Sequence, residues 1–168
     1  ASISIGQQNK EHAEKILGNA VSLLVLLYVV LAGGMLLFIE PLLVGLGADT
    51  KVLPYAKDFI QIIIAGSIFM YLAFGLNNLI RAQGNPKVAM GTMIVAAVLN
   101  SILNPLFIFG LDMGISGSAL ATVISQFVSA VWVLGFFFSE KSFLKIHKKN
   151  LLLEKKIEEM FRGDMLII

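Results

Sequence analysis

The chain consists of four long runs of apolar residues separated by short polar segments. The runs cover about Ile16–Ile39, Pro54–Ile80, Lys87–Leu111 and Ile115–Ser139. Each exceeds the roughly 18 apolar residues that one helical crossing of a bilayer needs, and few charges interrupt it. The pattern therefore predicts an all-α membrane protein with four transmembrane helices.

The segments outside these runs are polar. Residues 1–15 are expected to form a cytoplasmic or interfacial lead-in, and residues 16–139 the four-helix transmembrane region. Residues 140–168 combine Lys and Arg with apolar side chains at helical spacing. That spacing predicts a basic amphipathic cytoplasmic segment, which lies on the membrane surface or against a partner.

Composition agrees with a membrane protein and argues against an enzyme. The chain is 57% hydrophobic and 14% charged, with a mean hydropathy of +0.85, which is too apolar for a soluble domain of this size. It has no Cys, and its two His residues, His12 and His147, lie outside the apolar runs. No Gly-rich phosphate loop or carboxylate pair is present at membrane depth. We therefore expect no catalytic residues, no cofactor and no nucleic-acid partner.

Charge predicts the orientation. Four crossings place both ends on one side, and that side would carry eleven of the 13 Lys and Arg residues. The opposite side would carry only Lys51 and Lys57. Because Lys and Arg are enriched on the cytoplasmic side, both ends are predicted to be cytoplasmic in a multi-pass protein of the cell membrane.

Two polar stripes interrupt the last two apolar runs. Asn100 and Asn104 are four residues apart and therefore share one face of the third helix, with Ser101 beside them. The tight Asp112–Gly114 turn makes the third and fourth helices antiparallel neighbours, so the stripes are expected to meet. The stripe of the fourth helix consists of Ser118, Thr122, Ser125, Gln126 and Ser129.

These polar residues admit two interpretations. Amide and hydroxyl groups often hydrogen-bond between membrane helices and then serve only packing. Alternatively, they line a cavity that binds a cation or a polar substrate, since amide, hydroxyl and free backbone carbonyl oxygens are hard ligands. Pro105 favours the second interpretation, because proline cannot donate a hydrogen bond to the carbonyl of Ser101.

Small residues recur at every fourth position of the fourth helix. Small side chains at this spacing let two helix backbones approach closely, which predicts a tightly packed face. The residues are Gly117, Ala121, Ser125 and Ser129.

Several segments together resemble the multidrug and toxic compound extrusion (MATE) transporters. They are EPLLVGLGAD from Glu40, NNLIRAQGNPKVAM from Asn77 and, most specifically, VLNSILNPLFIFGLDMGISGSALATVISQ from Val98. The resemblance covers most of residues 1–140. It implies part of the amino-terminal lobe of a twelve-helix, two-lobe antiporter that exports drugs or cationic, amphipathic molecules in exchange for Na⁺ or H⁺. The remaining partners would be membrane lipid and the rest of the same transporter chain.

The resemblance also implies a cation site, with Na⁺ as the candidate ion, at Asn100, Asn104 and Thr122. Ser101, Pro105, Ser125 and Gln126 would support it. A common form of the family pattern has Asp before the proline, whereas this chain has Asn104, which cannot titrate. Two alternatives remain: a lipid-linked oligosaccharide flippase of the same superfamily, and a four-helix membrane scaffold that transports nothing. Because the chain starts at Ala1 and ends in an apolar stretch, we expect a fragment of a longer protein.

Overall fold

The computed structural model describes residues 10–139 and 142–145, and every regular element in these ranges is helical. Within these ranges, four helices are long and apolar enough to cross a membrane, which confirms the predicted fold class. The elements are α1 (Lys10–Leu37), α2 (Ile39–Gly45), α3 (Leu53–Ala82), α4 (Pro86–Pro105), a π-helical turn (Leu106–Gly110) and α5 (Gly114–Phe138).

The predicted spans agree with these helices except at the end of the first. The first apolar run extends to Ile39, but the helix α1 ends at Leu37 and a separate short helix, α2, follows. Ile39 and Leu43 of α2 are buried against Ile64 of α3. The segment between α2 and α3 turns at Gly47, which has a φ of 94°. Such a positive φ is open to glycine at little cost because it lacks a Cβ.

The α5 helix is the centre of the bundle and packs against α3 and α4. The predicted small-residue face is buried at all four of its positions. A Cβ at Gly117 would lie 2.9 Å from the backbone of Phe107. A Cβ at Gly66 of α3 would lie 2.3 Å from the Val123 side chain of α5. Glycine therefore allows α5 to approach α3 on one side and the π-helical turn on the other.

The outer faces of the helices are apolar and exposed. On α1, for example, Val29, Val30 and Leu31 are each 60–63% exposed. Contiguous apolar patches of this extent are rare on soluble monomers, and they mark a surface that lipid or other helices cover.

The end of the bundle that carries the α3–α4 turn also holds residues 142–145. Leu144 is buried in a cluster with Leu17, Ile80 and Phe137. Its backbone N–H donates to Gln83 Oε1 at 3.1 Å. These four residues are not helical, and the rest of the predicted amphipathic segment, like most of the lead-in, lies outside the described residues.

Candidate functional site

The site is built where α4 and α5 run side by side. The chain reverses between them over three residues, Leu111–Met113, and Asp112 adopts a φ of 54°. The Met113 N–H donates to the Phe107 carbonyl at 3.1 Å, which closes the turn. Residues late in α4 are therefore brought opposite residues early in α5.

The central contact of the site joins Asn100 and Thr122. The Asn100 amide Nδ2 donates to Thr122 Oγ1 at 3.1 Å, and the Thr122 hydroxyl donates to the Ser118 carbonyl at 3.0 Å. Thr122 thus uses both its donor and one of its acceptor lone pairs. The expectation that the two stripes meet is confirmed for this pair.

The same geometry leaves oxygen atoms unengaged. With its Nδ2 committed to Thr122, Asn100 has an amide oxygen that makes no hydrogen bond to any described residue. Asn104 lies one helical turn further along the same face, is half-buried, and likewise has no side-chain hydrogen bond within the described residues. Two residues whose amide oxygens have free lone pairs therefore lie one helical turn apart, a rise of about 6 Å along the axis of α4 at 1.5 Å per residue.

Pro105 marks the end of regular α4 geometry beside these amides. The proline has no N–H for the Ser101 carbonyl, and the next N–H, that of Leu106, bonds to the Leu103 carbonyl instead. A π-helical turn then follows over Leu106–Gly110. Such turns are rare in proteins overall, and those that occur often lie at functional sites.

Three of the predicted supporting residues do not join this contact. Ser101 is exposed and its hydroxyl donates to the Ala97 carbonyl of its own helix at 2.9 Å. Ser125 is buried, but it too bonds within its own helix, to the Ala121 carbonyl at 2.7 Å. Gln126 instead lines a separate cavity of about 150 Å³ between α3, α4 and α5.

A second polar contact, between Asn77 and Thr92, was not predicted. Asn77 is only 5% exposed, and its Nδ2 donates to Thr92 Oγ1 at 2.6 Å and to the Ala89 carbonyl at 2.9 Å. The sequence did carry a signal for it. Asn77 lies seven residues before the turn glycine Gly84 and Thr92 eight residues after it, which places them at the same level of an antiparallel helix pair.

The described residues contain no cluster of acidic, imidazole or thiol side chains that could form a metal site. No group of three or more His, Cys, Asp or Glu side chains in those ranges could hold a metal ion. Residues 86–105 and 114–138, which form α4 and α5, contain no Asp or Glu, so these two helices would offer a cation near Asn100 only neutral oxygens.

Comparison with known proteins places these helices among transporters. The family model described as MatE matches residues 1–106. The "Multidrug export protein MepA" of Staphylococcus aureus (strain NCTC 8325 / PS 47) is 32% identical over 115 residues, which are 68% of this chain and 25% of MepA. The chain thus spans about a quarter of the length of this curated relative.

Among the solved structures that match over 94% of the chain at 25% identity, two show different conformations. The first is an inward-facing conformation of a multidrug resistance MATE family transporter of the MOP superfamily, with a TM-score of 0.86 and 36% of that chain covered. The second is an outward-facing conformation of such a transporter, with a TM-score of 0.84 and 35% covered. The arrangement of α1–α5 is therefore similar to a segment of larger transporters in an inward-facing and in an outward-facing conformation.

Proposed function

The chain belongs to the MatE family of multidrug efflux transporters, and we propose that it supplies the cation-binding helices of a secondary active antiporter. In this proposal the whole protein exports drugs or cationic, amphipathic small molecules in exchange for Na⁺ or H⁺. The residues described here would contribute part of one lobe, and the rest of the chain would supply the other lobe and the remaining helices.

The observation that carries the proposal is the Asn100–Thr122 contact with Asn104 beside it. Polar side chains at membrane depth are costly and are typically found where they line a cavity or an ion path. If Thr122 only joined two helices, the Asn100 amide oxygen and the whole Asn104 amide would gain nothing from their position. As ligands of a hard cation, those oxygens would have a use.

The side chains of this site favour Na⁺ over H⁺ as the ion bound here. An amide does not titrate near neutral pH, so Asn104 cannot carry a proton. Neutral oxygens can still replace part of the hydration shell of Na⁺. Coupling to H⁺ would need a carboxylate from a helix outside α4 and α5.

Alternating access requires one lobe to move against the other around the binding site. The nearly equal match to an inward-facing and an outward-facing transporter supports a segment that moves largely as one body. The close α3–α5 contact at Gly66 supports the same view, because packed interiors resist continuous deformation. In this proposal Asn100 and Thr122 move together with their lobe, and the hydrogen bond between them stays intact throughout each transport cycle.

The proposed location is the cell membrane, with both ends of the segment cytoplasmic. Lys51 and Lys57 then lie outside, where Lys57 Nζ pairs with Glu40 Oε2 at 2.9 Å. Externally added trypsin should cut the protein after Lys51 in intact protoplasts. Cutting there only after the membrane is broken would invert the proposed orientation.

The experiment for the transport function uses the natural full-length protein in proteoliposomes. A cationic dye is trapped inside, and its efflux is followed after an inward Na⁺ gradient or an inward H⁺ gradient is imposed. Efflux driven by the Na⁺ gradient at constant pH is the expected result. If neither gradient accelerates efflux of any cationic dye above that of protein-free vesicles, the antiporter proposal is wrong.

A further inference from the structure

Residues 142–145 form a strap across the end of the bundle that carries the α3–α4 turn. They follow α5 and are not helical. Ser142 and Leu144 are nevertheless buried, with exposures of 5% and 0%. Phe143 and Lys145, which alternate with them, are exposed. The strap therefore presents one side to the bundle and the other to its surroundings.

Two side chains from different parts of the bundle hold the backbone of the strap. Gln83 directly follows α3, and its Oε1 accepts the Leu144 N–H at 3.1 Å. Glu14 of α1 is only 8% exposed, and its Oε1 accepts the Lys145 N–H at 2.9 Å. These side chains thus replace the helical partners that the two backbone donors lack.

The Gln83 side chain is engaged at both ends of its amide. Its Nε2 donates to the Leu79 carbonyl at 3.2 Å, which directs Oε1 toward the strap. The Ser142 hydroxyl lies 3.0 Å from this Oε1 and 2.6 Å from the Leu144 carbonyl oxygen, and it donates to one of them at a time. Gln83 therefore connects the end of α3 to the strap through a fixed amide.

The apolar anchor of the strap is Leu144, which packs into a buried cluster drawn from all four membrane-spanning helices. Withdrawing Leu144 would expose its whole side chain and separate two backbone N–H groups from their acceptors, so the strap resists opening. The cluster includes Leu17 of α1, Ile80 of α3, Ala89 of α4 and Phe137 of α5.

We infer that the strap stays closed on these helices throughout the transport cycle, so that the chain leaves the bundle at a fixed point after Lys145. The inference rests on the proposed function, because it concerns the movement of this bundle against the rest of the protein. Hinges are a few residues that absorb large changes in φ and ψ, and the strap is held too firmly to serve as one. Gln83 and Glu14 are then positioning residues that fix where the movable connection begins.

The strap is remote from the Asn100–Thr122 contact. Asn100 lies fourteen residues beyond Pro86, the first residue of α4, which corresponds to about 21 Å along the helix axis. A variant of Gln83 therefore changes the strap without touching the candidate cation site.

The test is hydrogen exchange of the natural full-length protein in nanodiscs, measured by mass spectrometry with overlapping peptides that resolve the Leu144 and Lys145 amides. Both amides should exchange slowly in the wild type, although the strap is not helical. Gln83→Met removes the acceptor and should speed exchange of the Leu144 amide about tenfold, the effect of one hydrogen bond. Asn85→Ala is the matched control, because the Asn85 Nδ2 donates to the backbone carbonyl of Gln83 in the same turn, at 3.2 Å, rather than to the strap.

A second variant, Glu14→Met, tests whether the strap opens as one unit. Glu14 holds Lys145, yet its loss should also speed exchange of the Leu144 amide, because one opening releases both N–H groups. Acceleration confined to Lys145 would overturn the inference, as would fast exchange of both amides in the wild type. Equal acceleration in Gln83→Met and Asn85→Ala would do the same.

The last comparison concerns the transport cycle. Exchange is measured in Na⁺-free buffer, in saturating Na⁺ and in a saturating cationic dye, and the Leu144 amide should exchange at rates that agree within about twofold. Acceleration of about tenfold with either ligand would overturn the inference, because the strap would then open during the cycle. Na⁺-driven dye efflux is measured on the same preparation. Absence of efflux would contradict the proposed function, whereas fast or ligand-dependent exchange would contradict the closed strap.

Discussion

Substituting Thr122 by Val separates a cation site from simple helix packing. The two side chains have nearly the same shape, so the variant removes only the hydroxyl. That hydroxyl accepts the Asn100 hydrogen bond at 3.1 Å and donates to Ser118 at 3.0 Å. The Asn100 amide then loses the partner that fixes its orientation and is free to rotate.

The size of the effect follows from the value of one interhelical hydrogen bond. Such bonds in membranes contribute about 0.6 kcal/mol on average and up to about 1.7 kcal/mol. If Asn100 must be held in its present orientation to bind Na⁺, the variant loses affinity by the same free energy. This corresponds to about a threefold to eighteenfold higher Na⁺ concentration for half-maximal efflux.

The assay is Na⁺-driven dye efflux by the full-length protein, measured as a function of Na⁺ concentration. Ser125→Ala is the matched control, because Ser125 is equally part of the polar stripe but bonds only to Ala121 of its own helix. The control should leave the Na⁺ dependence unchanged. If Thr122→Val lowers thermal stability but leaves the Na⁺ dependence equal to that of Ser125→Ala, the hydroxyl only joins two helices and the reasoning is refuted.

Two further predictions concern stability, both measured as thermal unfolding of the full-length protein in detergent. Gly66→Ala places a Cβ 2.3 Å from the Val123 side chain and should destabilise by about 1–3 kcal/mol through overpacking. Gly33→Ala, which meets nothing within 4 Å, should not, and equal effects of the two would contradict the close α3–α5 contact. Asn77→Ala removes two buried hydrogen bonds and should cost about 1–3 kcal/mol. Combined with Thr92→Val it should cost less than the sum, whereas full additivity would mean that the pair does not interact.

The fold was predictable because bilayer thickness imposes a strong length constraint on each apolar run. The second, third and fourth predicted spans agree with the membrane-spanning helices to within two residues at each end. Pro and Gly residues at these boundaries, such as Pro54, Pro86 and Gly114, explain this agreement because they favour a helix start or a turn. The predicted end of the first span at Ile39 agrees less well, because helical structure continues beyond it. Proline is tolerated in the first turn of a helix, so Glu40 and Pro41 lie in the first turn of the short helix α2, which begins at Ile39.

The candidate site was predictable only in part, since spacing gives the face of a helix but not the helix that covers it. Four-residue spacing placed Asn100 and Asn104 together correctly, and the short turn identified α5 as their neighbour. The stripe on α5 was too broad, however. Gln126 is one turn beyond Thr122, yet it lines the cavity between α3, α4 and α5, because α5 touches two different helices at these levels. The Asn77–Thr92 contact was not predicted, because Asn77 lies near the end of its apolar run, Pro54–Ile80, where a polar side chain needs no buried partner.

The role of the Asn100–Asn104 face in cation coupling is tested most directly by Asn104→Asp in the full-length protein. A carboxylate about 4 Å from a bound cation attracts it by about 4 kcal/mol at an effective dielectric constant of 20, and the cost of removing the carboxylate from water offsets part of that gain. We expect half-maximal dye efflux at about tenfold lower Na⁺ concentration, or efflux that becomes sensitive to pH. An ion and pH dependence identical to that of the wild type would contradict a coupling role for this face.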